Sequence, residues 1–119
     1  MADHYGAMNI NIKTINDISI VDLGDKIDIY NTSVFKDAIN KLIAGNKILI
    51  ILNLEKVAYI DSSGLGVLIS TMAELKKIEG SLKIIGLTDF VKNTFKIMQT
   101  TPIFEIYETE ADAVKSFKK

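Results

Sequence analysis

The feature that most constrains the fold is the run Ile48–Leu52, in which every residue is apolar. A strand with one face in water alternates apolar and polar residues, whereas an uninterrupted apolar strand has both of its faces covered. The run is also much shorter than the about 20 residues that a membrane-spanning helix needs. We therefore predict that it is the central parallel strand of an α/β sheet.

The sequence around this run predicts alternating strands and helices. Ile10, Ile12 and Ile18 alternate with polar neighbours on either side of the turn signal Asn16-Asp17, which predicts a hairpin. Beyond the hairpin, stretches with apolar residues at helical spacing alternate with short apolar strands. The predicted order is β-β-α-β-α-β-α-β-α, which gives a mostly parallel sheet with one antiparallel N-terminal edge strand and four helices.

Capping and turn residues predict where these elements begin and end. The side chain of Asn31 is expected to cap the first helix, and Gly45-Asn46 to end it. The other predicted boundaries are strands at Leu82–Leu87 and Ile103–Tyr107, a helix cap at Thr88 or Asp89, a core-facing Met98 in the helix that follows, and a capping box from Thr109 to Asp112.

The composition excludes several classes of function. Fourteen basic and fifteen acidic residues leave a net charge of −1, which gives no general attraction for nucleic acid or for an anionic membrane. There is no cysteine, which excludes disulfides and thiolate metal sites and fits a reducing, cytoplasmic setting. The single histidine, His4, lies in residues 1–7, which we predict to be a flexible segment. Residues 8–119 are predicted to form one domain without a metal or cofactor.

The segment Asp61–Gly66, with the sequence DSSGLG, lies between a buried strand and an amphipathic helix. The start of a helix has free amides and a dipole that favours negative charge. Neither a nucleophile elbow nor a P-loop is present, and His4 is the only histidine, so we interpret Ser62 as a residue that is modified in a protein that is not an enzyme. The same residues are also ordinary helix-cap and turn chemistry, so a purely structural role remains open.

A second candidate site residue is Asp28, which follows the second strand and precedes the first helix. It is expected at the same end of the sheet as Ser62, either as a contact residue or as a solvated loop carboxylate. Tyr30 beside it is either a contact residue or part of the packing of the loop. Tyr59 is interpreted as core filling, with an exposed contact residue as the alternative. Asn53 is interpreted as the end of the central strand, hydrogen-bonded to nearby backbone.

The segments Asn53–Glu55 and Tyr59–Leu68 closely resemble the STAS domain of bacterial anti-sigma factor antagonists, and the resemblance extends over residues 8–118. It implies a STAS fold and a partner that is both an anti-sigma factor and an ATP-dependent serine kinase. It also implies that this kinase phosphorylates Ser62, that the phosphorylated protein no longer binds it, and that a separate serine phosphatase restores binding. Binding of the unmodified protein is then expected to free the sigma factor.

The resemblance also implies that Asp28 is associated with partner docking and with the phosphorylation site. The family often has glycine three residues before the aspartate that matches Asp28. Here that position is Asp25, directly after Gly24, which predicts a shifted turn or a different local charge.

We expect a monomer that forms a hetero-complex, and the alternative is a constitutive STAS scaffold in a transport or other signalling complex. The expected partner-binding residues are Asp28, Tyr30, Asn31, Asp61, Ser62, Ser63, Gly64 and Leu65.

Overall fold

The computed structural model describes residues 9–117, so the predicted flexible segment 1–7, with His4, lies outside the described residues. Its centre is a five-stranded sheet in the order β1-β2-β3-β4-β5, in which β1 is antiparallel to β2 and the other pairs are parallel. The elements are β1 (Asn9–Ile15), β2 (Ile18–Ile27), α1 (Thr32–Ala44), β3 (Leu49–Ile60), α2 (Ser62–Lys77), β4 (Ser81–Ile85), α3 (Asp89–Ile97), a 3-10 turn (Thr101–Ile103), β5 (Glu105–Tyr107) and α4 (Glu110–Ser116).

Two apolar layers cover the two faces of the sheet. Helices α1, α2 and α3 form the larger layer, in which Phe35 and Phe95 are fully buried. Helix α4 covers the opposite face through Ala113. Successive side chains of a strand point to opposite faces, and Ile50 and Ile51 are both fully buried. The prediction of a central strand covered on both faces is therefore confirmed. No helix within residues 9–117 is long and apolar enough to cross a membrane.

The central strand β3 is longer than predicted. It continues past Asn53 to Ile60, so the prediction that Asn53 ends the strand is wrong. The side chain of Asn53 does accept a hydrogen bond from the nearby Glu55 amide, at 3.1 Å, as expected. Because β4 pairs with β3 only over Leu49–Asn53, the last part of β3 pairs with β2 alone. We call this extension, Gly24–Ile27 paired with Lys56–Ile60, the β2–β3 ribbon.

Side-chain caps fix the starts of three helices. Asp61 caps α2, Thr88 caps α3, and Thr109 caps α4 by accepting from the Asp112 amide at 3.1 Å. Of the two candidates for α3, Thr88 is therefore the cap and Asp89 is not. Asn31 does precede α1, but its side chain makes no capping hydrogen bond, so that part of the prediction is wrong.

Three helices are followed, two residues beyond their last residue, by a residue with left-handed backbone: Asn46 after α1, Glu79 after α2 and Gln99 after α3. At the end of α2 the Gly80 amide donates to the carbonyl oxygen of Leu75 at 2.7 Å, which is the hydrogen bond of a Schellman motif. The sequence correctly predicts that α1 ends at this point, and the left-handed residue is the asparagine rather than the glycine before it. Three other predictions are wrong. Strand β4 ends at Ile85 and not at Leu87, Ile103 belongs to the 3-10 turn and not to the last strand, and Met98 is half-exposed instead of facing the core.

Candidate functional site

The β2–β3 ribbon brings together two chain segments that are distant in sequence. Ile27 and Ile60 are paired at its end, and the next residues, Asp28 and Asp61, begin the loop to α1 and the start of α2. The Asp61 amide donates to the carbonyl oxygen of Ile27 at 3.2 Å. The expectation that Asp28 lies at the same end of the sheet as the Ser62 segment is therefore confirmed.

Ser62 is the first residue of α2 and is exposed, and Ser63 after it is half-buried. Within the described part of the chain, the amides of both serines have no hydrogen-bond partner, as is usual in the first turn of a helix. The free amides and the helix dipole make this a place where a negative group on Ser62 is well tolerated. Residues 9–117 contain no group of three carboxylate or histidine side chains arranged to hold a metal ion.

Asp61 connects the two segments through both of its carboxylate oxygens. Oδ1 accepts from the Gly64 amide at 2.8 Å, which is the capping bond of α2. Oδ2 accepts from the Ile29 amide, in the loop that follows β2, at 3.3 Å. One side chain thus holds both the start of the helix and the neighbouring loop.

The loop between β2 and α1 is built by its own polar side chains. Asp28 is only 7% exposed, so it is not a solvated loop carboxylate; Oδ1 accepts from the Tyr30 amide at 2.9 Å, and Oδ2 lies 3.6 Å from Nζ of Lys26. Asn31 is fully buried and accepts from the Asp28 amide at 2.9 Å while donating to the carbonyl oxygen of Lys26 at 2.8 Å. The buried Asn31 side chain therefore shapes the loop from inside and is not a surface available to a partner.

Large apolar side chains are exposed beside this polar framework. Ile29 is 62% exposed and Tyr30 82%, so Tyr30 is not part of the loop packing. Tyr59 is half-exposed and lies against Phe90, with ring centroids 5.6 Å apart, so its interpretation as core filling is wrong. The exposure of Ile29 and Phe90 was not predicted from the sequence. A usable signal for Phe90 was its position off the stripe formed by the buried Val91 and Phe95 of α3.

The two glycines of the DSSGLG segment have different surroundings. A Cβ on Gly64 would lie 2.5 Å from the carbonyl oxygen of Ile27, so the start of α2 packs directly against the ribbon. A Cβ on Gly66 would meet nothing within 4 Å, and this residue is exposed. Leu65 is only 2% exposed and belongs to the core. Of the expected partner-binding residues, Gly64 and Leu65 therefore pack beneath the start of α2 and present no side chain to solvent.

Asp25 has a φ of +75°, at a point where the register between β2 and β3 shifts. This left-handed conformation is one that glycine adopts without steric cost and that aspartate tolerates better than most residues. The position at which the resemblance implies glycine is thus occupied by an exposed aspartate in a conformation that suits glycine.

Comparisons with known proteins agree with this architecture. The STAS domain family matches residues 9–113. An anti-sigma-B factor antagonist from Staphylococcus aureus is 28% identical over 103 residues, which cover 85% of this chain and 95% of that protein.

Solved structures show the same fold. An anti-sigma factor antagonist from Mycobacterium paratuberculosis has a TM-score of 0.84 at 20% identity, with 94% of this chain and 95% of that chain covered. The Bacillus cell fate determinant SpoIIAA in its phosphorylated form has a TM-score of 0.70 at 20% identity, with 92% and 100% covered. With the family match spanning β1 to α4, the chain belongs to the STAS domain family.

Proposed function

We propose that this protein is an anti-sigma factor antagonist that acts by phosphorylation-controlled partner switching. Its unmodified form binds an anti-sigma factor that is also a serine kinase, and this binding releases the sigma factor. The kinase phosphorylates Ser62, the phosphorylated protein no longer binds, and a serine phosphatase restores the unmodified form. The observation that carries the proposal is the exposed Ser62 at the first position of α2, beside an exposed apolar loop. The name of the staphylococcal relative supports it.

The surface that would receive the partner combines apolar and polar groups. We define the docking surface as Ile29, Tyr30, Ser62, Ser63 and Gly66. The two loop side chains are among the most exposed large apolar groups of the described chain, and exposed aromatic and aliphatic residues are typical anchors of protein interfaces. The backbone beneath them is held by Asp28, Asn31 and Asp61, so little conformational entropy is lost when a partner binds.

A phosphate on Ser62 would change this surface without disturbing the fold. It adds about 1.5 to 2 negative charges, which the start of α2 accommodates. The carboxylates of Asp61 and Asp28 already lie at this end of the sheet, so a docking partner would have to bury an additional negative charge among like charges. Such arrangements cost several kcal/mol, and we expect an affinity loss on the order of 100-fold or more.

The proposal is tested with four baits in pull-downs from source-cell lysate: wild type, Ser62→Asp, Ser62→Ala and Ser70→Asp. Ser70 is a matched control, because it is exposed on the same helix but lies away from its start. We expect wild type, Ser62→Ala and Ser70→Asp to capture an ATP-binding anti-sigma factor, and Ser62→Asp to lose it. Mass spectrometry after incubation of wild type with the captured kinase and ATP should place the phosphate on Ser62.

The result that contradicts the proposal is equal capture of the same partner by wild type and Ser62→Asp. Capture of transporter subunits by both baits would favour the constitutive scaffold instead. A phosphate found on Ser63 would move the modified position by one residue, and Ser63→Ala is expected to leave phosphorylation at Ser62 intact.

A further inference from the structure

We propose that Asp61 is a positioning residue that fixes the loop Asp28–Asn31 relative to Ser62, so that a partner meets the loop and the phosphorylation site as one rigid surface. The inference rests on the proposed function, since it assigns a role to a residue that supports the docking surface. Its physical basis is the pair of hydrogen bonds from the two Asp61 oxygens, at 2.8 Å to the Gly64 amide and 3.3 Å to the Ile29 amide.

The side-chain connection between loop and helix depends on this one residue. The side chains of Asp28 and Asn31 make hydrogen bonds only within the loop and to the strand before it. Among the hydrogen bonds of residues 9–117, the Asp61 carboxylate is the one side chain that reaches from the start of α2 to the loop. The backbone bond from the Asp61 amide to Ile27 holds the end of β2, which lies before the loop.

Capping alone does not require an aspartate. Asparagine and serine cap helices about as well as aspartate, because one side-chain oxygen suffices to accept from the first turn. An ionised carboxylate has a second accepting oxygen, whereas asparagine carries an amide group that only donates in its place. The second oxygen of Asp61 is therefore free for the Ile29 amide, and an asparagine at this position serves one of the two amides but not both.

The test is Asp61→Asn, with Asp89→Asn as the control. Asp89 is the exposed first residue of α3 and caps no helix, so its replacement removes the same charge from the start of another helix without removing a capping bond. In ¹⁵N–¹H spectra of the free proteins, we expect Asp61→Asn to shift the Ile29 amide and to increase hydrogen exchange in the loop by about 10-fold, the effect of losing one hydrogen bond to a charged group. The control should leave the loop amides unchanged.

The second readout is affinity for the kinase that wild type captures, measured by calorimetry. We expect Asp61→Asn to stay folded, with a free energy of unfolding lowered by no more than this one hydrogen bond accounts for, and to bind about 10-fold to 100-fold more weakly. Loop amides that do not shift would overturn the inference, even if affinity fell, because Asp61 would then act only as a contact. Shifted amides with unchanged affinity would overturn it too. Failure of the proposed function looks different, since wild type and Ser62→Asp would then bind the partner alike.

Discussion

Replacing Gly64 by alanine should destabilise the protein, whereas the same change at Gly66 should stabilise it. A Cβ on Gly64 would lie 2.5 Å from the Ile27 carbonyl oxygen and 2.9 Å from side-chain carbons of both Ile27 and Ile60. Contacts this short force a movement of helix or strand, and the closest atom belongs to the backbone of a paired strand, which does not move easily. At Gly66 no atom lies within 4 Å of the added carbon.

The expected magnitudes follow from these distances. Overpacking costs about 1 to 3 kcal/mol, and the backbone contact at Gly64 favours the upper end of that range. Alanine in place of glycine gains about 1 kcal/mol in a helix interior. Gly64→Ala should therefore lower the free energy of unfolding by about 2 kcal/mol, while Gly66→Ala should raise it by about 0.5 to 1 kcal/mol. For a domain of this size, their melting temperatures should then differ by about 10 °C.

Urea denaturation followed by far-ultraviolet circular dichroism measures both variants against wild type. If the free energy of unfolding falls with urea concentration at the same slope in all three proteins, the variants differ in stability and not in the compactness of the native or the denatured state. A Gly64→Ala variant as stable as wild type would contradict this prediction, and so would two variants whose stabilities shift in the same direction by the same amount. Either result would show that the start of α2 packs less tightly against the β2–β3 ribbon than the 2.5 Å distance to the Ile27 carbonyl oxygen indicates.

Two further predictions concern helix ends and use the same denaturation assay. Glu79→Gly should raise the free energy of unfolding by about 0.5 to 1 kcal/mol. Glu79 has a φ of +63°, and the strain of this conformation in a non-glycine residue exceeds the entropy that a more flexible glycine loses on folding. An unchanged or lower midpoint of denaturation would contradict this. Thr88→Ala should lower the free energy of unfolding by about 1 to 2 kcal/mol, since the hydroxyl donates to the Val57 carbonyl at 2.9 Å and caps α3. The control, Thr94→Ala, removes an exposed hydroxyl of the same helix and should cost clearly less.

Hydrophobic periodicity was sufficient to predict the alternation of strands and helices and the hairpin. The extension of β3 beyond Asn53 was missed because its buried residues, Leu54, Val57 and Ile60, are spaced three apart, as in a helix. The register shifts against β2 allow this spacing in a strand. Periodicity in one segment contains no information on irregular pairing with another, so the ribbon was not predictable from the sequence.

The candidate site was predicted as a motif but not as an arrangement. Ser62 and Asp28 were identified because helix-start chemistry and strand ends are local features of the sequence. The burial of Asn31 depends on tertiary contacts, and an exposed Ile29 is opposite to the usual preference of isoleucine. The link from Asp61 to the loop joins residues that only the pairing of β2 with β3 makes neighbours.

The loop between β2 and α1 keeps its shape without using its two exposed side chains. The Ile29 and Tyr30 amides are bound by the carboxylates of Asp61 and Asp28, while their side chains contribute little to the packed interior. The geometry of the loop therefore depends on Asp28 and Asp61, whereas the chemistry of its exposed surface depends on the Ile29 and Tyr30 side chains. Under the proposed function, two copies in one cell could acquire separate partners after gene duplication by substitutions at these two positions alone, with folding and Ser62 unaffected. Cross-talk between the two copies would then be limited by surface residues that are free to vary.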